Sequence, residues 1–127
     1  MKDLERIFKG LSDQTRLRIL NLLLHGELCV CDIQYVLQSS QPNVSRHLTY
    51  LKNSGLVLDR REGARIYYHL VQHKQLFAFL REAFKSSDEL AQDLRKLKKA
   101  IETGSCTVSE WRPDNTFVSK TALASKA

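Results

Sequence analysis

Residues 32–54 carry two helical patterns separated by a short polar turn, and this arrangement constrains the fold more than any other feature of the chain. The first pattern has apolar residues at Ile33, Val36 and Leu37, and Ser39-Ser40-Gln41-Pro42 then interrupts it. The second, about 42 to 54, repeats apolar side chains along one stripe: Val44, Leu48 and Leu51. Proline suits a first helical turn. The pattern predicts a helix-turn-helix.

The segment that follows predicts a β-hairpin. In LVLDRREGARIYYHL two β-prone runs flank Glu62-Gly63-Ala64, which is a typical turn sequence. A hairpin directly after a helix-turn-helix indicates the winged variant of that motif. The fold class predicted is therefore mainly α, a winged helix-turn-helix with one β-hairpin wing.

Helical patterns also predominate on both sides of this unit. Helices are predicted from about residue 4 to 11, from 13 to 25 and from 73 to 102, the last interrupted near Ser86-Ser87 by a capping-box pattern, Ser86-x-x-Glu89. A heptad-like seam suggests a partner helix and comprises Leu90, Leu94, Leu97 and Ile101. We expect residues 1–102 to form a DNA-binding and dimerisation domain, and residues 103–127 to form a flexible C-terminal tail.

Composition favours a nucleic-acid partner and argues against a membrane. The 127-residue chain carries a formal net charge of +6, and a basic small domain usually meets a polyanion. Its apolar runs fall short of the roughly 20 residues that cross a bilayer, and its N-terminus does not resemble a secretory signal. Three unevenly spaced cysteines fit thiols kept reduced in the cytoplasm better than a disulfide framework.

The polar face of the second helix and the hairpin supply the candidate DNA contacts. Gln, Asn and Arg side chains can bond base edges in the major groove, and Ser side chains and backbone amides at a helix start suit phosphates. The alternative is a solvated helix face beside an ordinary surface hairpin. The residues predicted to contact double-stranded operator DNA are Ser40, Gln41, Asn43, Ser45, Arg46, His47, Tyr50, Arg61 and Arg65.

A cysteine pair in ELCVCD, Cys29 and Cys31, lies where the first helix of this unit should begin. The pair is too close for an easy disulfide and is not the Cys-x-x-Cys of redox sites. Thiolates bind soft ions. Side chains two apart on a regular helix diverge by about 200°, so we expect an ion bound to both sulfurs to distort the helix start and move the recognition helix. The alternative is that both cysteines are merely small buried hydrophobes.

Four segments together resemble the ArsR/SmtB family of metalloregulatory repressors: LSDQTRLRILNLLL, ELCVCDI, SSQPNVSRHLTYLKNSGLV and REGARIYYHL. The resemblance covers about residues 4 to 85. It implies a homodimer built on the first and last helices, which binds its operator when free of inducer and leaves it when a metal or metalloid binds. ELCVCD is similar to the arsenite-responsive branch, although Gln34 stands where that branch usually has a third cysteine.

Other branches of the family fit this sequence less well. The cadmium/lead branch adds N-terminal cysteines, and residues 1–28 contain none. The zinc branch places Asp and His ligands on the last helix, whereas residues 74–102 contain no histidine. His25 could instead complete a zinc site with the cysteine pair, although a histidine beside glycine at a helix end is more often a favourable end charge.

The resemblance therefore implies a cytoplasmic transcriptional repressor of an arsenic-resistance operon, not an enzyme and with no catalytic cofactor. Its inducer is expected to be trivalent arsenic, as arsenite or an organoarsenical, or antimony(III). The expected ligands are Cys29, Cys31 and, from the tail, Cys106. Two alternatives stay open: a repressor of the same family that responds to Cd, Pb or Zn, and a repressor that senses thiol oxidation.

Overall fold

The computed structural model describes residues 1–105, which form six helices and a three-stranded antiparallel sheet. Cys106 and the rest of the predicted tail lie outside the described residues. No helix within residues 1–105 has the length and apolarity needed to cross a membrane. In chain order the elements are α1 (Lys2–Leu11), α2 (Gln14–Leu23), β1 (Leu28–Cys29), α3 (Val30–Leu37), α4 (Gln41–Asn53), β2 (Val57–Glu62), β3 (Arg65–Leu70), α5 (Lys74–Phe84) and α6 (Asp88–Glu102).

Helices α3 and α4 form the predicted helix-turn-helix. Helix α3 ends at Gln38, which adopts the left-handed conformation with φ 52° and ψ 47°. The Ser40 hydroxyl then accepts a hydrogen bond from the Asn43 backbone N–H at 3.3 Å, which caps α4. Pro42 lies in the first turn of α4, where its missing N–H breaks no helical bond. Helix α4 begins and ends one residue earlier than predicted.

Strands β2 and β3 form the predicted wing, and a third strand that was not predicted joins them. Val57 lies opposite Leu70 and Glu62 opposite Arg65, with a turn at Gly63 in the left-handed region at φ 60°. Strand β1 pairs with β3 and places Cys29 opposite Tyr67. A strand of two residues is too short to show the alternation that marks strands in a sequence. It ties the start of α3 to the wing.

The core lies between α2 and the helices around it. The second half of α2, residues 19–23, is buried throughout, and α6 packs across α2 and α3. In this structure the predicted heptad seam is filled by the chain itself, because Leu90, Leu97 and Ile101 are buried within the protomer. Leu94, the fourth residue of the seam, is only partly buried, and the partner helix that the seam suggests stays a prediction.

Two further contacts fix α6 against α2. The Arg18 guanidinium donates to both carboxylate oxygens of Asp93, at 2.8 and 3.0 Å, and the Asn21 amide donates to the Leu90 carbonyl at 3.0 Å. Helix α6 begins after Ser87, whose hydroxyl accepts from the Leu90 N–H at 3.2 Å. The predicted break between α5 and α6 is present. The predicted capping residue, Ser86, is wrong by one position, since its hydroxyl donates to the Ala83 carbonyl instead.

Candidate nucleic-acid interface and thiol site

Cys29 is the N-cap of α3. Its backbone is extended, with φ −72° and ψ 152°, and its sulfur accepts a hydrogen bond from the Cys31 N–H at 3.4 Å. The Asp32 carboxylate reciprocates by accepting from the Cys29 N–H at 2.9 Å. Serine, threonine, aspartate and asparagine usually serve at this position. Here a thiol that is only 3% exposed does so, which gives this cysteine a structural role as well as a chemical one.

The two sulfurs of the pair converge. The Cys31 thiol donates to the Cys29 sulfur, with the two Sγ atoms 2.7 Å apart, and both cysteines are free thiols. The expectation that they diverge, and that an ion must distort the helix start to reach both, is therefore wrong. It assumed that both residues are helical, whereas only Cys31 is. The extended backbone of Cys29 turns its side chain back over the first turn, so the pair is already arranged to share one ligand.

The surroundings of Cys31 favour the protonated thiol. Partial removal of water, the bond to the Cys29 sulfur and the negative charge of Asp32 raise the pKa of Cys31 to about 12, while Arg65 acts in the opposite direction. Thiols that bind a metal ion must first lose their protons. An ion that enters as a bare cation therefore competes with protons at Cys31 throughout the neutral range.

The pair lies where three parts of the fold meet. Cys29 belongs to β1 and pairs with Tyr67 of the wing strand β3. Helix α3, which begins at the pair, packs against the recognition helix α4. The hydrogen bond of Arg65 to Tyr67, together with the nearby Cys31, raises the pKa of the Arg65 guanidinium and so ties a wing arginine to the same place. Cys29 is thus linked to the recognition helix through α3 and to the wing through β1. A movement at Cys29 therefore affects both elements.

Four of the predicted DNA-contacting residues cluster at the start of α4, where they bond to one another or to the turn. The Gln41 amide donates to the Ser45 hydroxyl at 2.8 Å, and the Asn43 amide donates to the Ser39 hydroxyl at 2.9 Å. The Arg46 guanidinium donates to the Asn43 carbonyl oxygen. Gln41 and Arg46 are exposed. Their donors and acceptors are held at the surface, where they can exchange these partners for base edges or phosphates.

His47 and Tyr50, which were also predicted to contact DNA, lie beside the junction of α1 and α2. His47 Nδ1 lies 3.4 Å from the Arg16 guanidinium and 3.7 Å from the Asp13 carboxylate. The Arg16 guanidinium lies 4.0 Å from the centre of the Tyr50 ring and donates to the Lys9 and Gly10 carbonyls at the end of α1. Arg16 therefore joins α1 to the recognition helix. Helical spacing could not reveal this, because these residues share a stripe with Asn43.

The arginines of the wing divide into two kinds. Arg61 and Arg65 are exposed, as a contact with DNA requires. Arg60 is held within the protein: its guanidinium makes a bidentate bond to Glu27 at 2.9 and 2.6 Å and donates to Glu62 at 2.7 Å, and it lies over the Tyr67 ring. Glu27 was not singled out in the sequence. Its role depends on a partner 33 residues away, which no local pattern reveals.

Comparison with known proteins agrees with this architecture. Residues 13–58 match the family model described as bacterial regulatory protein, arsR family. The arsenical resistance operon repressor of Escherichia coli K12 is 46% identical over 90 residues, which cover 68% of this chain and 77% of the relative. A cadmium resistance transcriptional regulatory protein CadC homolog of Staphylococcus aureus is 48% identical over 69 residues, which cover 54% of this chain and 57% of the relative.

Solved structures give the same result for the fold. The homodimeric winged helix-turn-helix DNA-binding domain Mb0332 from Mycobacterium bovis is 35% identical, with a TM-score of 0.61, over 66% of this chain and 80% of that one. The predicted winged helix-turn-helix is therefore confirmed. Together with the E. coli relative, of which 77% is covered at 46% identity, this shows that the chain belongs to the ArsR family of bacterial regulatory proteins.

Proposed function

We propose that the chain is a transcriptional repressor of an arsenic-resistance operon, which leaves its operator DNA when trivalent arsenic binds the thiols of Cys29 and Cys31. The observation that carries the proposal is the convergence of the two sulfurs, 2.7 Å apart, at the first residue of the DNA-reading unit. Relatives named as arsenical resistance operon repressors support the choice of inducer. Antimony(III), which has the same coordination habit, is included in the proposal.

The donor set suits a soft, three-coordinate ligand. Two thiols at hydrogen-bond distance supply two of the three positions on trivalent arsenic, and soft sulfur donors are the type it prefers. Within residues 1–105, no group of three or more His, Cys, Asp or Glu side chains is arranged to hold a metal ion. The third position then falls to Cys106, which lies outside the described residues, or to a ligand that the protein does not supply.

The release of DNA is explained by the role of the Cys29 sulfur in the arsenic-free protein. That sulfur caps α3 by accepting from the Cys31 N–H, and a ligand bonded to it competes for the same electron pair. Loss of an N-cap costs about 1 kcal/mol, which is similar to the coupling of about 1–3 kcal/mol that links two sites in regulated proteins. Without this cap the start of α3 shifts against both α4 and β3, so that the two DNA-contacting elements lose their alignment together.

We propose that the operator is read by a homodimer in the cytoplasm. Gln41, Asn43, Ser45 and Arg46 of α4 supply the contacts in the major groove, with Ser40 at the phosphate backbone and Arg61 and Arg65 on the wing. The relative described as a homodimeric DNA-binding domain supports the dimer. Two copies of α4 read half-sites roughly 34–36 Å apart, as in other dimeric helix-turn-helix proteins. His47 and Tyr50 position α4 through Arg16.

Serine variants of the two cysteines test the sensor. Serine is a good N-cap, so Cys29→Ser keeps the start of α3 and should bind operator as the wild type does. We expect Cys29→Ser and Cys31→Ser to remain on a fluorescent operator duplex, measured by anisotropy, at arsenite concentrations that release the wild type. One thiol cannot form the second bond. An arsenite response of wild-type size in either variant would contradict the proposed site.

The same assay can distinguish an arsenite sensor from a repressor that responds to thiol oxidation. Peroxide that releases wild-type protein as completely as arsenite does, with recovery after a dithiol is added, would favour a redox sensor. We expect peroxide to leave the operator complex in place at concentrations where arsenite dissociates it. The matched control is the doubly substituted Cys29→Ser, Cys31→Ser protein, which should respond to neither reagent.

A further inference from the structure

An open groove of about 770 Å³ begins at Cys31 and runs between α3 and α6. Its walls are two helical stripes with i, i+3, i+4, i+7 spacing, so each helix presents one continuous face to the groove. The α3 face consists of Cys31, Gln34, Tyr35 and Gln38, and the α6 face of Lys96, Lys99, Ala100 and Thr103, with Ser39 at the far end. The groove lies outside the DNA-contacting residues and opens directly beside the sensor thiol.

The groove has the length of a tripeptide. Cys31 and Gln38 are seven residues apart on α3, which at 1.5 Å per residue is about 10 Å. Three extended residues also span about 10 Å, at roughly 3.3–3.6 Å each. The amides of Gln34 and Gln38, on the same wall, are donors and acceptors suited to a peptide backbone. The groove beside the Cys31 sulfur is therefore long enough to hold a short peptide.

The charge of the groove favours an anion. Lys96 and Lys99 are both exposed on the α6 wall. In the described part of the chain neither ammonium group forms an ion pair, although α6 pairs elsewhere through Asp93 and Glu89 with Arg18. Lys99 lies in the last turn of α6, where a lysine also offsets the helix dipole, but Lys96 lies one turn earlier and faces the same groove. Two lysines on one wall make it attractive to carboxylates.

We propose that this groove binds an anionic, thiol-bearing peptide of about three residues, whose sulfur takes the third position on the arsenic held by Cys29 and Cys31. This inference rests on the proposed function. The exchange is balanced without any redox change. Arsenous acid, As(OH)₃, loses three As–O bonds and gains three As–S bonds, and each hydroxyl leaves as water with the proton of one thiol. The peptide carboxylates contact Lys96 and Lys99.

A comparison of thiols tests the groove. Arsenite is titrated against the protein–operator complex in the presence of equal concentrations of glutathione, a tripeptide thiol with two carboxylates, or 2-mercaptoethanol, which is neutral. Two exposed charge contacts are worth about a fivefold change, so we expect half-release at about fivefold less arsenite with glutathione. Lys96→Gln combined with Lys99→Gln should abolish the difference. Lys98→Gln, which removes the same charge from the same helix outside the groove, should retain it.

Native mass spectrometry of the Cys106→Ser protein supplies an independent readout, since no tail thiol competes there. We expect a protein adduct with one arsenic and one glutathione, and a much smaller amount of it in the double lysine variant. Equal half-release concentrations with both thiols, or an equal adduct in the double variant, would overturn the inference and leave the proposed function intact. Failure of arsenite to release operator with any thiol would instead contradict the proposed function.

Discussion

Cys31 offers a way to tell the two main inducer classes apart. Its pKa is raised to about 12, so at neutral pH the residue is a thiol. A divalent cation such as Cd²⁺ must displace that proton into water, and its affinity therefore rises with pH. Arsenous acid carries hydroxyl groups that accept the thiol protons and leave as water. Its binding releases no net proton, and its affinity stays nearly constant over the same range.

We therefore expect the apparent affinity for Cd²⁺ to rise by up to about tenfold per pH unit for this thiol between about pH 6 and pH 8. The affinity for arsenite should change by less than about twofold over the same interval, measured by titration in one buffer series. Cys31→Ser should flatten the cadmium profile. A cadmium affinity that does not depend on pH would show that the Cys31 thiol is not a ligand.

At the scale of the element, one ion pair strengthens the contact between α2 and α6. Asp93 is 2% exposed and both of its oxygens accept from Arg18. A hydrogen bond to a charged group contributes about 1.5–3 kcal/mol, and Arg18, which is 24% exposed, keeps part of its hydration when Asp93 is removed. We expect Asp93→Ala to lower the free energy of unfolding by about 2 kcal/mol, measured by urea denaturation.

Glu82→Ala is the matched control for this prediction. Glu82 pairs with Lys85 at 3.0 Å, but both side chains are largely exposed, and such pairs contribute about 0–1 kcal/mol. Equal effects of Asp93→Ala and Glu82→Ala would mean that the buried pair does not hold α6 against α2.

How far the elements follow from the sequence depends on the range of the interactions that fix them. Apolar periodicity located the helices and the wing, because those patterns report burial within a single element. It could not place Cys29 on one side or the other of the start of α3, and that single residue decides whether the sulfurs diverge or converge. The β1 pairing with Tyr67 and the Glu27–Arg60 bond depend on distant partners, so no local pattern contains them.

For the whole molecule, the first expectation concerns operator binding. Arg46 is exposed and bonded to Asn43, so its removal takes a cation from the recognition face without disturbing the core. We expect Arg46→Ala to weaken operator affinity by about tenfold or more and to leave the melting temperature nearly unchanged. Arg95→Ala, an exposed arginine of α6, is the control. Operator affinity reduced equally by both substitutions would mean that only net charge matters.

The second expectation concerns the dimer. Helix α1 exposes two large apolar side chains, Leu4 at 50% and Phe8 at 63%, and the family implies that α1 lies at the dimer interface. We expect Phe8→Glu to weaken self-association by at least about tenfold, because a charge would be buried against a partner, and to weaken operator binding with it. Sedimentation velocity measures the first and anisotropy the second. A variant that stays dimeric would show that the interface lies elsewhere.

At Gln38 the backbone conformation favours glycine, whereas the groove wall requires a side chain. Its φ of 52° is a conformation that glycine adopts freely and that costs another residue about 1 kcal/mol. Glycine at position 38 would relieve the backbone strain in the turn between α3 and α4, but it would also remove an amide side chain from the wall of the groove. Selection for thermal stability alone would favour glycine at position 38. The glutamine that stands there accepts the strain of the bend and places an amide in the groove wall, next to the turn that leads into α4.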